Sequence, residues 1–169
     1  MRARPAPMRW RAMKADDVSA VADVATVIHL DYPENPAVFA ACFALYPAGC
    51  HILEGDDGRV AGYLVSHPGR LDTPPVLDVP LKELPEPQDC YFLHDLALGA
   101  ETRGRGFAGQ AVDMVIEEAR RGGFDRIALI AVGDAHGFWA RQGFVPLGDG
   151  LLDPAKGYGV EARALIRRL

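Results

Sequence analysis

The sequence predicts one α/β domain, with a sheet that contains at least one pair of parallel strands. Three observations predict it. The apolar runs 91–98 and 126–132 are separated by an amphipathic pattern over 107–121, and a strand–helix–strand order of this kind is how parallel neighbours are joined. A hairpin signal lies upstream, where 50–54 and 60–65 flank Gly55-Asp56-Asp57-Gly58. At 169 residues, 49% hydrophobic and 24% charged, the chain is long enough to bury one core without staples.

The elements follow in order. Residues 8–13 read as a first strand, with Asp16 or Asp17 capping the helix behind it. Val18, Val21, Ala22, Ala25, Ile28 and His29 recur at helical spacing, so one face of that helix is expected in the core. After Asp31-Tyr32-Pro33, a second helix starts at Pro36, a favoured first position, and runs to about Tyr46. The hairpin comes next. Residues 67–89 carry Pro68, Pro74, Pro75, Pro80, Pro85 and Pro87 and are expected to lack regular structure. A connection this long inside a small domain reads as a functional flap or a surface insertion.

Strand 91–98 leads into helix 107–121, whose apolar stripe is Ala108, Ala111, Val112, Val115 and Ala119 and whose end is Gly122-Gly123. The run 126–132 is almost wholly apolar, as for a strand covered on both faces. A short helix over 135–142 and strands near Phe144 and over 160–166 complete the chain.

Bulk properties narrow the class. A formal net charge of −5 argues against nucleic acid or an anionic membrane as partner. Cys42, Cys50 and Cys90 show no C-x-x-C spacing, which fits a reducing, cytoplasmic setting better than a disulfide framework. His29, His51 and His67 lack ligand-like spacing, so no metal site is expected. Neither a targeting segment nor a membrane-spanning run is evident.

The stretch with the clearest chemistry is Arg103-Gly104-Arg105-Gly106-Phe107-Ala108-Gly109. A glycine turn between a strand and a helix exposes backbone N–H groups at the positive end of the helix, and it suits a phosphate. Two arginines bring fork-shaped donors to the same spot. From Gly104 the segment matches G-x-G-x-x-G, the dinucleotide fingerprint, which implies an oxidoreductase. That motif wants its first glycine at the strand end and an acid closing the next strand. Here residues 99–103 intervene, and the next strand ends in Ala131-Val132-Gly133.

Read from Arg103, the same residues give R-x-x-G-x-A, which resembles the acetyl-CoA pyrophosphate loop of the GNAT superfamily of N-acetyltransferases, Q/R-x-x-G-x-G/A. Leu93-His94-Asp95-Leu96-Ala97-Leu98 resembles that family's central strand. Phe138-Trp139-Ala140-Arg141-Gln142-Gly143-Phe144 resembles its L-Y-x-x-x-G-F segment. The resemblance implies a mixed, mostly antiparallel central sheet flanked by helices, with a parallel βαβ core whose strands splay apart. It also implies an acetyl-CoA-dependent N-acetyltransferase acting on an amine of a small molecule or protein. Similar proteins often pair as dimers, and no exposed apolar stripe in the sequence proves a homodimer here. A non-catalytic acyl-CoA-binding or regulatory module is the alternative.

By the same resemblance, the backbones of Leu96, Ala97 and Leu98 pair with the pantetheine arm. The N–H groups of Gly104, Arg105, Gly106, Phe107 and Ala108, beside Arg103, hold the pyrophosphate. His94 is the candidate proton acceptor, with a ring suited to transfer near neutrality. Strand alternation places His94 with Leu96 and turns Asp95 the other way, toward a structural hydrogen bond or charge pair. The departure is Trp139, which stands where the family's tyrosine protonates the departing thiolate. An indole N–H is no workable acid, so Trp139 reads as core or as a CoA contact, and water, His136 or another tyrosine is left for the acid. Tyr32, Glu34, Tyr46 and the acids Asp31, Asp72 and Asp78 are candidates to shape the acceptor pocket.

Overall fold

The computed structural model describes residues 3–150 and 156–169. Among them, seven strands form one sheet: β1 (Met8–Ala12), β2 (Cys50–Gly55), β3 (Val60–Gly69), β4 (Cys90–Leu98), β5 (Arg126–Ala131), β6 (Val145–Pro146) and β7 (Arg163–Arg168). Their spatial order is β1-β2-β3-β4-β5-β7-β6. Every pairing is antiparallel except β4 with β5. The helices are α1 (Val18–Ile28), α2 (Pro36–Leu45), α3 (Phe107–Arg121) and α4 (His136–Arg141). None of the described helices is long and apolar enough to cross a membrane.

Side-chain alternation along the strands divides the core between two faces. Leu64, Tyr91, Leu93, Ile127 and Leu129 pack under α3 with Val112 and Val115. Tyr63, Val65 and Ala97 pack under α1 and α2 with Val21, Phe39 and Cys42. Asn35 starts α2 by accepting from the Ala37 N–H at 2.8 Å, and Pro36 follows at the first helical position.

Two local expectations change. Asp17 precedes α1 without capping it; its carboxylate turns back to the Lys14 N–H at 2.7 Å and to Arg11 at 2.8 Å, because a 3-10 turn over Ala15–Asp17 separates strand from helix. Strand β3 also continues through His67 and Pro68 to Gly69, so only 70–89 is irregular. Pro68 is tolerated there although it removes a backbone donor.

The register between β3 and β4 contains the feature that shapes the site. Val65 lies opposite Asp95 and Ser66 lies opposite Leu93, so His94 is one residue in excess on β4. Such a bulge sends two consecutive side chains to the same face. Leu93 and Leu96 accordingly pack toward α3, while His94 and Asp95 both point toward α1 and α2.

Candidate active site

Strands β4 and β5 are paired only at Tyr91–Ile127, Phe92–Ala128 and Leu93–Leu129. Beyond Leu93 the two strands part, while β4 stays bonded to β3 through Leu98 and β5 stays bonded to β7 through Ala131. The edge of β4 from His94 to Leu98 that faces β5 is therefore unpaired, and it can accept an extended ligand as an added strand would be accepted. A cleft of about 270 Å³ occupies this fork. Its walls are Leu96 and Leu98 of β4, Ile130 and Val132 from the β5 side, and Phe138 and Trp139 of α4.

At one end of the cleft, Ala108 marks the start of α3. Gly104 and Gly106 in the preceding turn have φ of +71° and +81°, the left-handed region. A Cβ at either would meet nothing within 4 Å, so backbone conformation and not crowding calls for glycine. The first helical bond runs from the Gln110 N–H to the Gly106 carbonyl, which leaves the N–H groups of Phe107, Ala108 and Gly109 without intrahelical acceptors.

Arg103 is exposed beside them. Arg105 departs from the expected role. Its N–H donates to the Thr102 carbonyl at 3.3 Å, and its guanidinium donates to the Ala6 carbonyl at 2.6 Å while lying 5.1 Å from the Phe107 ring centroid. This arginine ties the turn to the chain before β1, an attachment local sequence could not show.

The opposite end is polar. His29, Tyr32, Glu34, His94, Asp95 and Tyr158 line it. Asp95 accepts from the Tyr63 hydroxyl at 2.6 Å and from His29 Nε2 at 3.0 Å. The alternation expected for β4 turned Asp95 away from His94; the bulge overturns this, and the expected hydrogen bond is made inside the pocket. Burial lowers the His29 pKa, but the bond to Asp95 and the charges of Asp95 and Glu34 outweigh it, and His29 lies above its ordinary value. Burial, the Asp95 charge and the hydrogen bond to it hold the Tyr63 phenol well above its ordinary value, so it remains a donor.

His94 Nε2 lies 3.6 Å from Glu34 Oε2, with side-chain exposures of 1% and 7%. Both side chains line the cleft, and His94 is the more buried of the two. On its other side, His94 Nδ1 is 3.0 Å from His67 Nε2. His67 is almost fully buried, and burial together with the neighbouring His94 ring pushes its pKa down to about 3. Cys42 Sγ and one nitrogen from each of these rings lie within 4.8 Å of one another. These are donor types that suit a soft divalent ion, a clustering that the sequence spacing of the histidines did not suggest. The direct hydrogen bond between the rings already accounts for their approach.

The proline-rich segment helps to hold Glu34. The Asp78 N–H donates to Glu34 Oε2 at 3.3 Å, and the Asp78 carboxylate accepts from the Asn35 N–H at 2.6 Å. Leu77, which lines the cleft, donates through its N–H to the Lys156 carbonyl at 2.8 Å. Segment 70–89 thereby joins the α1–α2 connection to the loop that carries Tyr158.

Tyr46 lies elsewhere, donating to Glu118 of α3 at 2.7 Å, and Asp72 is exposed and paired with Arg70 at 2.9 Å. Trp139 is 8% exposed, with edge-to-face contacts to Phe138 and Phe144, and it is both core and cleft wall.

The sequence model of the Acetyltransferase (GNAT) family matches residues 18–144. The chain belongs to the GNAT acetyltransferase family. Solved structures agree on the fold of this GNAT protein. Ard1 from Thermoplasma volcanium aligns over 96% of this chain and 97% of its own, with a TM-score of 0.71 and 14% identity. The GNAT-like decarboxylase GphF, solved with isobutyryl-CoA, aligns over 95% and 98%, with a TM-score of 0.78 and 15% identity. YhbS from Escherichia coli, a GNAT family N-acetyltransferase solved with CoA, aligns over 99% and 84%, with a TM-score of 0.64 and 18% identity. No curated protein matches the sequence.

Several pocket residues of this GNAT protein went unrecognised as such in the sequence. Asp95 was hidden by the bulge. His29 appeared only as a core position of α1, and Tyr158 gave no signal at all. Glu34 was visible as an acid in the right connection, but its pairing with His94 crosses 60 residues of chain and depends on how α1 and α2 lie against β4.

Proposed function

We propose that this GNAT protein transfers an acetyl group from acetyl-CoA to a primary amine by direct attack in a ternary complex. The observation that carries this reading is the fork between β4 and β5, with a glycine turn and helix start at one end and Glu34, Asp95 and His94 at the other. The unpaired β4 edge at Leu96, Ala97 and Leu98 would hold the pantetheine arm. The N–H groups of Gly104, Gly106, Phe107 and Ala108, with Arg103 beside them, would hold the pyrophosphate, and Trp139 would pack along the arm. Acetyl-CoA is the cosubstrate, and its thioester supplies the acyl group.

An ammonium is attracted by Glu34 and Asp95, whereas a carboxylate-bearing acceptor would meet like charge. The two carboxylates therefore favour an amine. An ammonium is not nucleophilic, and the Glu34–His94 pair provides the place for its proton. The neutral amine nitrogen then bonds to the acyl carbon as the carbon–sulfur bond breaks. The nitrogen's second proton leaves as the amide forms, the departing thiolate takes up one proton, and the proton first taken by the pair passes to solvent. Most of the rate enhancement would come from positioning. Tyr158, whose phenol burial holds above its ordinary pKa and thus protonated, is the proton donor available to the leaving thiolate in the absence of a tyrosine at Trp139. Segment 70–89 acts as a flap that closes the acceptor end.

Two measurements test this reading. Acetyl-CoA should raise the melting temperature and NAD(P) should not, since only a ligand of the folded state stabilises it. Free CoA should then appear with amines of a small-molecule and peptide panel. Binding of acetyl-CoA with no release across the panel would favour the non-catalytic module, which the substitution at Trp139 makes the second reading. Stabilisation by NAD(P) alone would overturn both.

A further inference from the structure

The buried pair of histidines has a proton order that its surroundings dictate. His67 Nδ1 lies 2.9 Å from the Pro68 carbonyl oxygen. A carbonyl only accepts, so Nδ1 carries the hydrogen, and in the neutral ring Nε2 is bare. His94 Nδ1 approaches that bare nitrogen at 3.0 Å. It must donate there, because the other tautomer would set two lone pairs against each other at 3.0 Å between two buried rings. The lone pair of the neutral His94 ring is thereby left on Nε2, which faces Glu34 at 3.6 Å, beyond the 3.0 Å contact that rules out the other tautomer, and which has no hydrogen-bond partner until a proton arrives for the two groups to share.

The His67 ring is held for this purpose. Phe92 stacks on it with centroids 5.8 Å apart and planes at 24°, and meets His94 edge-on at 6.3 Å. Rotating His67 by half a turn would put a ring carbon against the Pro68 carbonyl and lose the bond. Among the described residues, Glu34 from the α1–α2 connection and the Cys42 thiol from α2, which burial keeps protonated, also face the pair.

We infer that His67 is a positioning residue that fixes His94 in the tautomer with hydrogen on Nδ1, so that its basic nitrogen is Nε2, directed at Glu34. The effect of this arrangement on turnover rests on the acyl-transfer reading above; the tautomer itself does not. An orienting group behind a catalytic imidazole is usually a carboxylate, which would also raise its basicity. A neutral histidine orients without adding charge.

Long-range proton–nitrogen correlation spectra of the 15N-labelled protein read the tautomer directly, with the His94 signals assigned by their loss in His94→Ala. Wild type is expected to show hydrogen on Nδ1 of both rings. His67→Gln, whose amide oxygen can still accept, should keep that pattern for His94. His67→Phe fills the volume without an acceptor and should give His94 a mixed or Nε2-protonated pattern. In amine acetylation, His67→Phe should lower kcat at least tenfold with the KM for acetyl-CoA unchanged, and His67→Gln should recover most of it.

Hydrogen on His94 Nε2 in wild type, or an unaltered His94 tautomer in His67→Phe, would overturn the inference. Should His67→Phe fail to fold, the wild-type spectrum alone decides. The expected spectra from a protein that acetylates no amine would support the tautomer and sink the acyl-transfer reading instead.

Discussion

His94 Nε2 and Glu34 Oε2 face each other at 3.6 Å, both side chains nearly buried. The two groups should therefore behave as one unit in proton transfer. Glu34→Gln keeps an oxygen for the Asp78 N–H but removes the charge. It should lower kcat by roughly 10²-fold, within the range for a lost acid–base group, with acetyl-CoA affinity unchanged. His94→Ala should cost about as much, and the double variant no more than the worse single one, because groups acting together are not additive. Steady-state kinetics on the three proteins test this; a double variant whose loss is the product of the single losses would mean independent roles.

Gly106 stands at φ +81° immediately before α3 with open space around it. Gly106→Ala should keep the fold but bias the turn out of the left-handed region, at a cost of about 1–2 kcal/mol in that conformation. Calorimetric titration should show acetyl-CoA affinity falling by about 5–30-fold as a result. Unchanged affinity would remove this turn from the phosphate site.

The His29–Asp95 bond makes stability pH-dependent with a definite sign. Because the folded His29 pKa is raised above the ordinary value of about 6.5, the contribution is full below that value and is lost as pH rises through the folded pKa. Asp95→Asn should lower the His29 titration midpoint, since burial is then opposed only by the weaker Glu34 charge. Its destabilisation relative to wild type should be largest on the acid side and shrink toward alkaline pH. Proton NMR titration and denaturant melts at several pH values measure both.

Asp78 has a φ of +61° and binds Asn35 through its carboxylate, holding segment 70–89 against the connection that carries Glu34. Asp78→Gly would accept that backbone conformation yet lose the clasp. It should raise the KM for the amine several-fold and leave the KM for acetyl-CoA alone. An equal rise in both would show that the segment serves the whole cleft.

Tyr158→Phe should lower kcat about tenfold if the phenol protonates the leaving thiolate, less than the roughly 10²-fold of an ordinary lost general acid because a thiolate leaves readily. Trp139→Tyr in the same background should restore part of the loss. Full activity of Tyr158→Phe would hand the step to water.

Much of this protein was legible before its fold was known, for reasons local to the chain. Helix α3 runs over the residues its 3.6-residue stripe and terminal glycines indicate, the hairpin turns at Gly55-Asp56-Asp57-Gly58, and the glycine turn sits between strand and helix as its spacing requires. Each depends on interactions within a few residues, which the sequence writes out directly.

What the tertiary structure decided depends on partners far apart in the chain. A single excess residue on β4 turned Asp95 into the pocket, because register belongs to a pair of strands and not to one. The Arg105 guanidinium reached out of the glycine turn to the Ala6 carbonyl, a partner 99 positions away. His67, a histidine without meaning in its own neighbourhood, became the residue that orders the protons of His94, since only the pairing of β3 with β4 sets their rings 3.0 Å apart. The sequence by itself determined which elements form and where the glycine turn falls before α3; the packing of α1, α2 and the 70–89 segment against the bulged strand decided which side chains share the pocket.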